Sequence, residues 1–196
     1  MHVQTHLLSG WCIANYLDLS PRERLFAMVA AAAADVDGIS RIAGEEAYWR
    51  WHHTVGHNLW FGLIVSILLA AFSSRRLYSM LLYLGLFHLH LLMDYYGSGP
   101  GWHIHYLWPL RGAILTNPNA WEFYSWQNLT IFAGLLVWTV WIALRNGRTP
   151  LEALMPSLDA KIVAWLRRNF GYRRAADGHS AVRRSNASQA DLDQTH

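Results

Sequence analysis

The sequence predicts an all-α fold: an integral membrane helical bundle of about five hydrophobic helices with a cytoplasmic tail. Three observations predict it. Of the 196 residues, 53% are hydrophobic and only 15% are charged, against roughly a quarter charged in an average soluble domain. Three stretches, 59–72, 77–93 and 129–144, contain no Asp, Glu, Lys or Arg. Trp60, Tyr78, Tyr95, Tyr96 and Trp126 mark the ends of these stretches, as amphipathic rings do at a membrane interface. The same composition excludes a wholly disordered chain, which needs few apolar residues and many charges. Cys12 has no partner, which excludes a disulfide scaffold.

The helices follow in order. The first is a mixed apolar run, 7–17, closed by Asp18-Leu19-Ser20-Pro21. Ser20 and Pro21 then read as N-cap and first helical residue of a second helix, 22–34, with Glu23 in its first turn. The three uncharged stretches supply helices three to five. The bare runs hold 11 to 17 residues, whereas a bilayer core of about 30 Å needs about 20. With polar flanks, 57–74 and 76–94 come closer. The first ten residues, MHVQTHLLSG, lack the basic start of a signal peptide.

Charge placement predicts orientation. If five helices alternate, the turns after helices one and three and the tail hold thirteen basic residues, and the opposite turns hold three, Arg41, Arg50 and Arg111. Basic loops stay cytoplasmic, so the tail is expected inside, in a multi-pass protein of the plasma membrane. Nine of the sixteen basic residues follow position 144. Residues 146–170 read as an amphipathic interfacial helix carrying Trp165, Arg167 and Arg168 on the anionic inner leaflet. Residues 171–196 are polar and read as a disordered tail. No basic stripe interleaved with aromatics and no zinc-finger or RNA-recognition signature is present, so no nucleic-acid partner is expected.

The chemistry-bearing residues collect at the opposite, non-cytoplasmic pole. His6 opens helix one, and Asp35 and Asp37 follow helix two. His52, His53 and His57 precede helix three, His90 and Asp94 close helix four, and His103 and His105 lie in the next turn. His90 and Asp94 are i,i+4 and share a helix face. Asp35 and Asp37 sit at a helix end, where both carboxylates are expected to turn toward one point. Imidazole with carboxylate suits zinc, iron or manganese. Ionisable groups in a membrane protein are expensive and usually functional. His88 lies on a different helix face and reads as a packed residue, and His2, His179 and His196 as interface residues.

The order Thr5-His6 with Gly10, Asp35-Val36-Asp37, His52 with His57, His90-Leu-Leu-Met-Asp94 and Leu107-Trp108-Pro109 resembles the LexA-regulated, inner-membrane-associated metal-dependent hydrolases of bacteria. The resemblance covers roughly residues 1–145, the membrane-embedded bundle. Where that family usually reads His-Arg-x-x-Thr-His, this chain reads His52-His53-Thr54-Val55-Gly56-His57. An anion-binding arginine would then fall to Arg50 or Arg111. More remotely, the His/Asp helical pattern is similar to zinc-dependent phospholipase C and single-strand nuclease folds, which implies phosphoester chemistry.

The resulting expectation is an inner-membrane hydrolase that binds one or more divalent ions, zinc first and manganese or iron next. Its ligands would be His6, Asp35, Asp37, His52, His57, His90 and Asp94. Seven ligands exceed one tetrahedral zinc, so two ions or outer supporting residues are implied. Asp37 is the expected base for the nucleophilic water, and His53 the residue that protonates the leaving group or stabilises an oxyanion. A small-molecule or lipid ester or phosphoester is the expected substrate. Two other readings stay open. One is a di-iron membrane oxidase or desaturase on His52-His53-x-x-x-His57, separated by iron content and oxygen dependence. The other is a non-enzymatic haem-binding or transport protein with His88 or His90 as axial ligand, separated by a Soret band.

Overall fold

A computed structural model describes residues 1–110 and 113–170. Arg111 and the expected disordered tail, with His179 and His196, lie outside the described residues. The described residues are helical, with seven α-helices: α1 (Val3–Ala14), α2 (Pro21–Ala32), α3 (Glu45–Trp51), α4 (Leu59–Ala71), α5 (Arg76–Gly97), α6 (Trp126–Asn146) and α7 (Pro156–Asn169). A 3-10 segment, Ala33–Ala43, continues from α2. A two-residue antiparallel pair, β1 (Ile104–His105) and β2 (Ile114–Leu115), joins Ile104 to Leu115. The chain divides into two compact units, Met1–Thr139 and Val140–His196.

In the first unit small residues set the packing. A Cβ on Gly10 would lie 2.6 Å from the Ala27 carbonyl oxygen and 2.7 Å from the Ala31 methyl, so only glycine lets α1 approach α2 this closely. Ala27, Ala30 and Ala31 then pack with Ala14, Ala70, Tyr83 and Leu86, which brings α2, α4 and α5 around one core. The start of α2 follows its sequence signature. Ser20 accepts from the Glu23 amide, and the Glu23 carboxylate accepts from the Ser20 amide, a complete capping box with Pro21 at the first position. Glu23 also accepts from the Ser74 amide at 2.9 Å, which ties the α4–α5 turn to the base of α2.

Two helices of the described residues, α5 and α6, are long and apolar enough to cross a membrane. The other three of the expected five fall short. At 1.5 Å per residue, the 13 residues of α4 cover about 20 Å and the 12 of α1 and of α2 about 18 Å. The unit nevertheless presents broad apolar surface: Ile64, Ile67 and Leu68 on α4, Leu77, Leu81 and Leu92 on α5, and Leu129, Leu136 and Val137 on α6 are exposed. Large exposed apolar surface is what a protein presents to lipid or to a partner rather than to water.

At the far end of α5 one side-chain amide, that of Asn128, joins two helices. Asn128 Nδ2 donates to the Gly97 carbonyl at 2.8 Å, and Trp121 Nε1 donates to Asn128 Oδ1 at 2.6 Å. The start of α6 is thereby fastened to the end of α5. Asn58 caps α4 by accepting from the Phe61 amide, and its Nδ2 donates to the Thr54 and Val55 carbonyls. That fixes the loop 52–58.

The second unit begins within α6. Gly147, at φ +72°, ends the helix in the left-handed conformation that glycine adopts without a Cβ penalty. Thr149 donates from its amide and its hydroxyl to Asp159 Oδ1 at 2.6 and 2.5 Å. Arg167 donates to the Leu144 carbonyl at 3.2 and 3.0 Å. The expected helix within 146–170 is therefore α7, preceded by a turn.

Candidate metal centre

Four segments, the start of α1, the 3-10 segment, the loop 52–58 and the end of α5, bring every expected ligand to one pole of the first unit. His6, Asp35, His90 and Asp94 form one group whose ligand atoms lie within 4.8 Å of one another. Asp37, His52 and His57 form a second, and His53, His57 and Asp94 a third. Asp94 and His57 each belong to two groups, so the three groups merge into one cluster. His6, His53, His57, His90, Asp37 and Asp94 are buried, and Asp35 and His52 are half-buried.

The cluster is assembled by local geometry. His90 and Asp94 sit one turn apart on α5, with His90 Nε2 3.0 Å from Asp94 Oδ2. His90 Nδ1 lies 2.7 Å from the Ala31 carbonyl oxygen. A carbonyl only accepts, so this nitrogen carries the proton and Nε2 is left facing the cluster. His57 is oriented the same way: its Nδ1 lies 2.9 Å from Asp37 Oδ2 and its Nε2 lies 3.1 Å from Asp94 Oδ2 and 3.2 Å from His90 Nε2. His6 stacks on His90 with ring centroids 3.7 Å apart and places Nε2 3.2 Å from Asp94 Oδ1. The N-terminal ammonium of Met1 also donates to Asp94 Oδ1 and, at 2.9 Å, to Ser98 Oγ.

Asp35 and Asp37 do not turn toward one point. Asp35 Oδ1 faces His90 at 3.8 Å, whereas Asp37 faces His52 at 2.6 Å and His57 at 2.9 Å. The 3-10 segment turns about 120° per residue, so side chains two apart diverge. Both Asp37 oxygens are used within the protein: Oδ1 by His52, and Oδ2 by His57 and the Gly56 amide at 3.0 Å. Burial alone would lift the Asp37 pKa, but the hydrogen bonds and charges of His52 and His57 outweigh it and hold the carboxyl well below its usual range. Burial would depress His57, and the Asp37 and Asp94 carboxylates instead raise it to about 9. His53 has weaker compensation: burial, then the neighbouring His57, push it well below the usual histidine value.

The donor set fits a divalent cation. His6 Nδ1, Asp35 Oδ2 and His53 Nδ1 are buried and make no hydrogen bond, although buried polar atoms are normally satisfied. Ligand histidines characteristically donate their far nitrogen to a carboxylate or backbone carbonyl, the arrangement of His57 on Asp37 and His90 on Ala31. Above the cluster opens a cavity of about 410 Å³ lined by Asp35, Arg41, Tyr48, His52, His53 and Asp94 among others. Its rim includes the stacked indoles of Trp49 and Trp102, 4.4 Å apart.

Comparison with known families identifies the context. A family model described as YdjM inner membrane protein matches residues 1–170. The chain belongs to the YdjM inner membrane protein family. No curated protein and no solved structure was found to match it. The match runs through every residue of the cluster in this YdjM-family chain.

Several residues stand elsewhere than expected. Arg50 lies over the Trp51 ring at 5.4 Å and does not line the cavity; Arg41 does, with its guanidinium 5.2 Å over Tyr48. Arg41 follows Asp35 by six residues, two turns of the 3-10 segment, which puts both on the cavity; nothing in the sequence announced that winding. His88 has both nitrogens engaged, Nδ1 with the Leu84 carbonyl and Nε2 with the Tyr106 hydroxyl, which leaves no nitrogen for haem iron. His103 is exposed and His105 is half-buried; neither joins the groups. The His105 amide supports the site by donating to the His53 carbonyl at 3.2 Å. That contact helps hold His53 at φ 64°, a conformation uncommon outside glycine.

Proposed function

We propose that this YdjM-family chain is an inner-membrane metal-dependent hydrolase acting on an ester or phosphoester, with a lipid-like molecule as the preferred class. The observation that carries the reading is the triangle of His57 Nε2, His90 Nε2 and Asp94 Oδ2, with sides of 3.0 to 3.2 Å. The two Nε2 atoms and the carboxylate oxygen converge on one point that carries either the second proton of His57, which its carboxylate neighbours favour, or a cation in its place. Zinc is the first choice of ion for such a donor set.

His6, Asp35, His90 and Asp94 would hold the ion, with His57 sharing Asp94. When bound, it supplies a Lewis acid and lowers the pKa of a water molecule toward neutrality. The protein residues divide the remaining work. Asp35, with a free buried oxygen on the cavity wall, accepts the proton of the attacking water. Asp37, expected as the base, has its oxygens occupied and instead orients His57 and His52. His53 presents an unpartnered Nδ1 beside the cavity and stabilises the developing oxyanion. Arg41 holds an anionic group of the substrate, and the indoles of Trp49 and Trp102 border its apolar part.

Membrane placement follows the two long helices. Arg75 and Arg76 stand at the start of α5 and Arg145 at the end of α6. If α5 and α6 are consecutive spans, the positive-inside rule makes the start of α5 cytoplasmic, and the cluster, at the end of α5, belongs to the other face.

Elemental analysis of the purified protein tests this reading. One or two equivalents of a divalent ion, lost in His90→Ala with Asp94→Ala, are expected, together with hydrolysis in a phosphodiester and lipid-ester screen that the same double variant abolishes. Metal-free wild-type protein, or unchanged metal content in the double variant, overturns it.

A further inference from the structure

α7 has two unlike faces. Asp159, Val163 and Leu166 are buried within the second unit, and Asp159 is held there by the Thr149 amide and hydroxyl. Arg167 is also drawn inward, onto the Leu144 carbonyl. Leu158, Lys161, Ile162, Trp165 and Arg168 recur at three- and four-residue spacing and form a stripe on the outward side. Leu158 is 41% exposed and Trp165 53% exposed, Lys161 and Arg168 are exposed as well, and Ile162 is half-buried at the edge of the stripe. Asp159 is the only acidic residue of the helix, so the stripe is purely apolar and cationic.

We propose that this stripe docks on an anionic lipid surface. An indole, two aliphatic side chains and two cations on one face, with the acid turned away, match a headgroup layer: the apolar bodies enter the acyl boundary while the cations meet phosphates. The family is one of inner membrane proteins, and α7 starts ten residues after α6, a helix of membrane-crossing length. The Asp159–Thr149 and Arg167–Leu144 bonds fix the roll of α7 about its own axis, so the face presented is set by the fold. Nothing in this depends on the hydrolase reading.

The full chain in nanodiscs tests it. Cys12 is buried, so an introduced cysteine is labelled selectively. An environment-sensitive fluorophore on the exposed Leu158→Cys should be blue-shifted and shielded from iodide in discs containing phosphatidylglycerol, and water-exposed in phosphatidylcholine alone. The same label on Ala160→Cys, off the stripe, should stay accessible in both. Each surface cation contributes roughly fivefold, so Lys161→Gln with Arg168→Gln should lower the docked-to-undocked ratio roughly thirtyfold. Both positions are exposed on a helix, and unchanged circular dichroism will show that the fold survives. Equal shielding in the two lipid compositions, or no effect of the double variant, overturns the proposal.

Discussion

His57 and His90 point their Nε2 atoms at each other across 3.2 Å, and each has its far nitrogen committed, to Asp37 and to the Ala31 carbonyl. Neither ring can turn away without breaking a buried hydrogen bond. The pair is therefore held ready around Asp94, and the groups behind it become as testable as the pair itself.

Asp37 is the clearest case. Asp37→Asn keeps the shape but removes the charge that orients His57 and His52. Divalent-ion affinity should fall about 10- to 100-fold while full occupancy is still reached at high metal, since removal of an outer orienting group costs about that much. Competition against a chelator measures this. Asp94→Asn should abolish binding over the same range. Loss of one whole equivalent in Asp37→Asn would instead make Asp37 a ligand.

Gly56 positions His57 through contact. An added Cβ would meet the Ala34 carbonyl oxygen at 2.1 Å and the Asp37 carboxyl carbon at 3.2 Å. Gly56→Ala should destabilise the protein by about 1–3 kcal/mol, seen as a lower midpoint of thermal unfolding in detergent, and should weaken metal binding. Gly38→Ala, whose Cβ would meet only the His52 ring at 3.7 Å, should leave both near wild type.

His53→Ala, which removes the donor, tests the assignment of the oxyanion partner. Turnover of a substrate found in the screen should fall about 10²–10³-fold, the scale of losing one aimed hydrogen-bond donor. Metal content should be unchanged. A parallel loss of metal would mean that His53 acts as a ligand.

Glu23 carries a pH dependence of stability. Burial would raise its pKa, yet the Ser20 and Ser74 donors outweigh this and hold it at about 2, below its ordinary 4.5. A depressed carboxyl stabilises the fold above its unfolded value and loses that contribution as pH falls toward its folded value. Between about pH 4.5 and 2 the wild type should therefore lose stability more steeply than Glu23→Gln, while the variant should be the less stable at neutral pH. Unfolding midpoints across this range, fitted for both proteins, check the sign; parallel curves would count against it.

Much of the fold was legible in local pattern. Ser20-Pro21 with Glu23 announced the start of α2, because capping is satisfied within four residues. The uncharged runs announced α4, α5 and α6, because apolar length is a local property. α3 escaped notice: EEAYWRW is short, charged and aromatic, with no apolar period to read. The β1–β2 pair, two residues a side, escaped for the same reason.

By itself the sequence determined that ten His and Asp residues on separate segments are available for one pole, eight of which the fold brings together, and that His90 and Asp94 share a face. It also determined the basic bias of the C-terminal region. Only the tertiary structure decided how those residues divide. The 3-10 winding after α2 sends Asp35 to His90 and Asp37 to His57. The fold of the 3-10 segment against α3 puts Arg41, rather than Arg50, on the cavity. The packing of Gly10 on Ala27 and Ala31 draws α1 close to α2. Spacing along a chain sets which side chains share a face, but the angle between segments is set by backbone winding and close contact, and those exist only once the chain has folded.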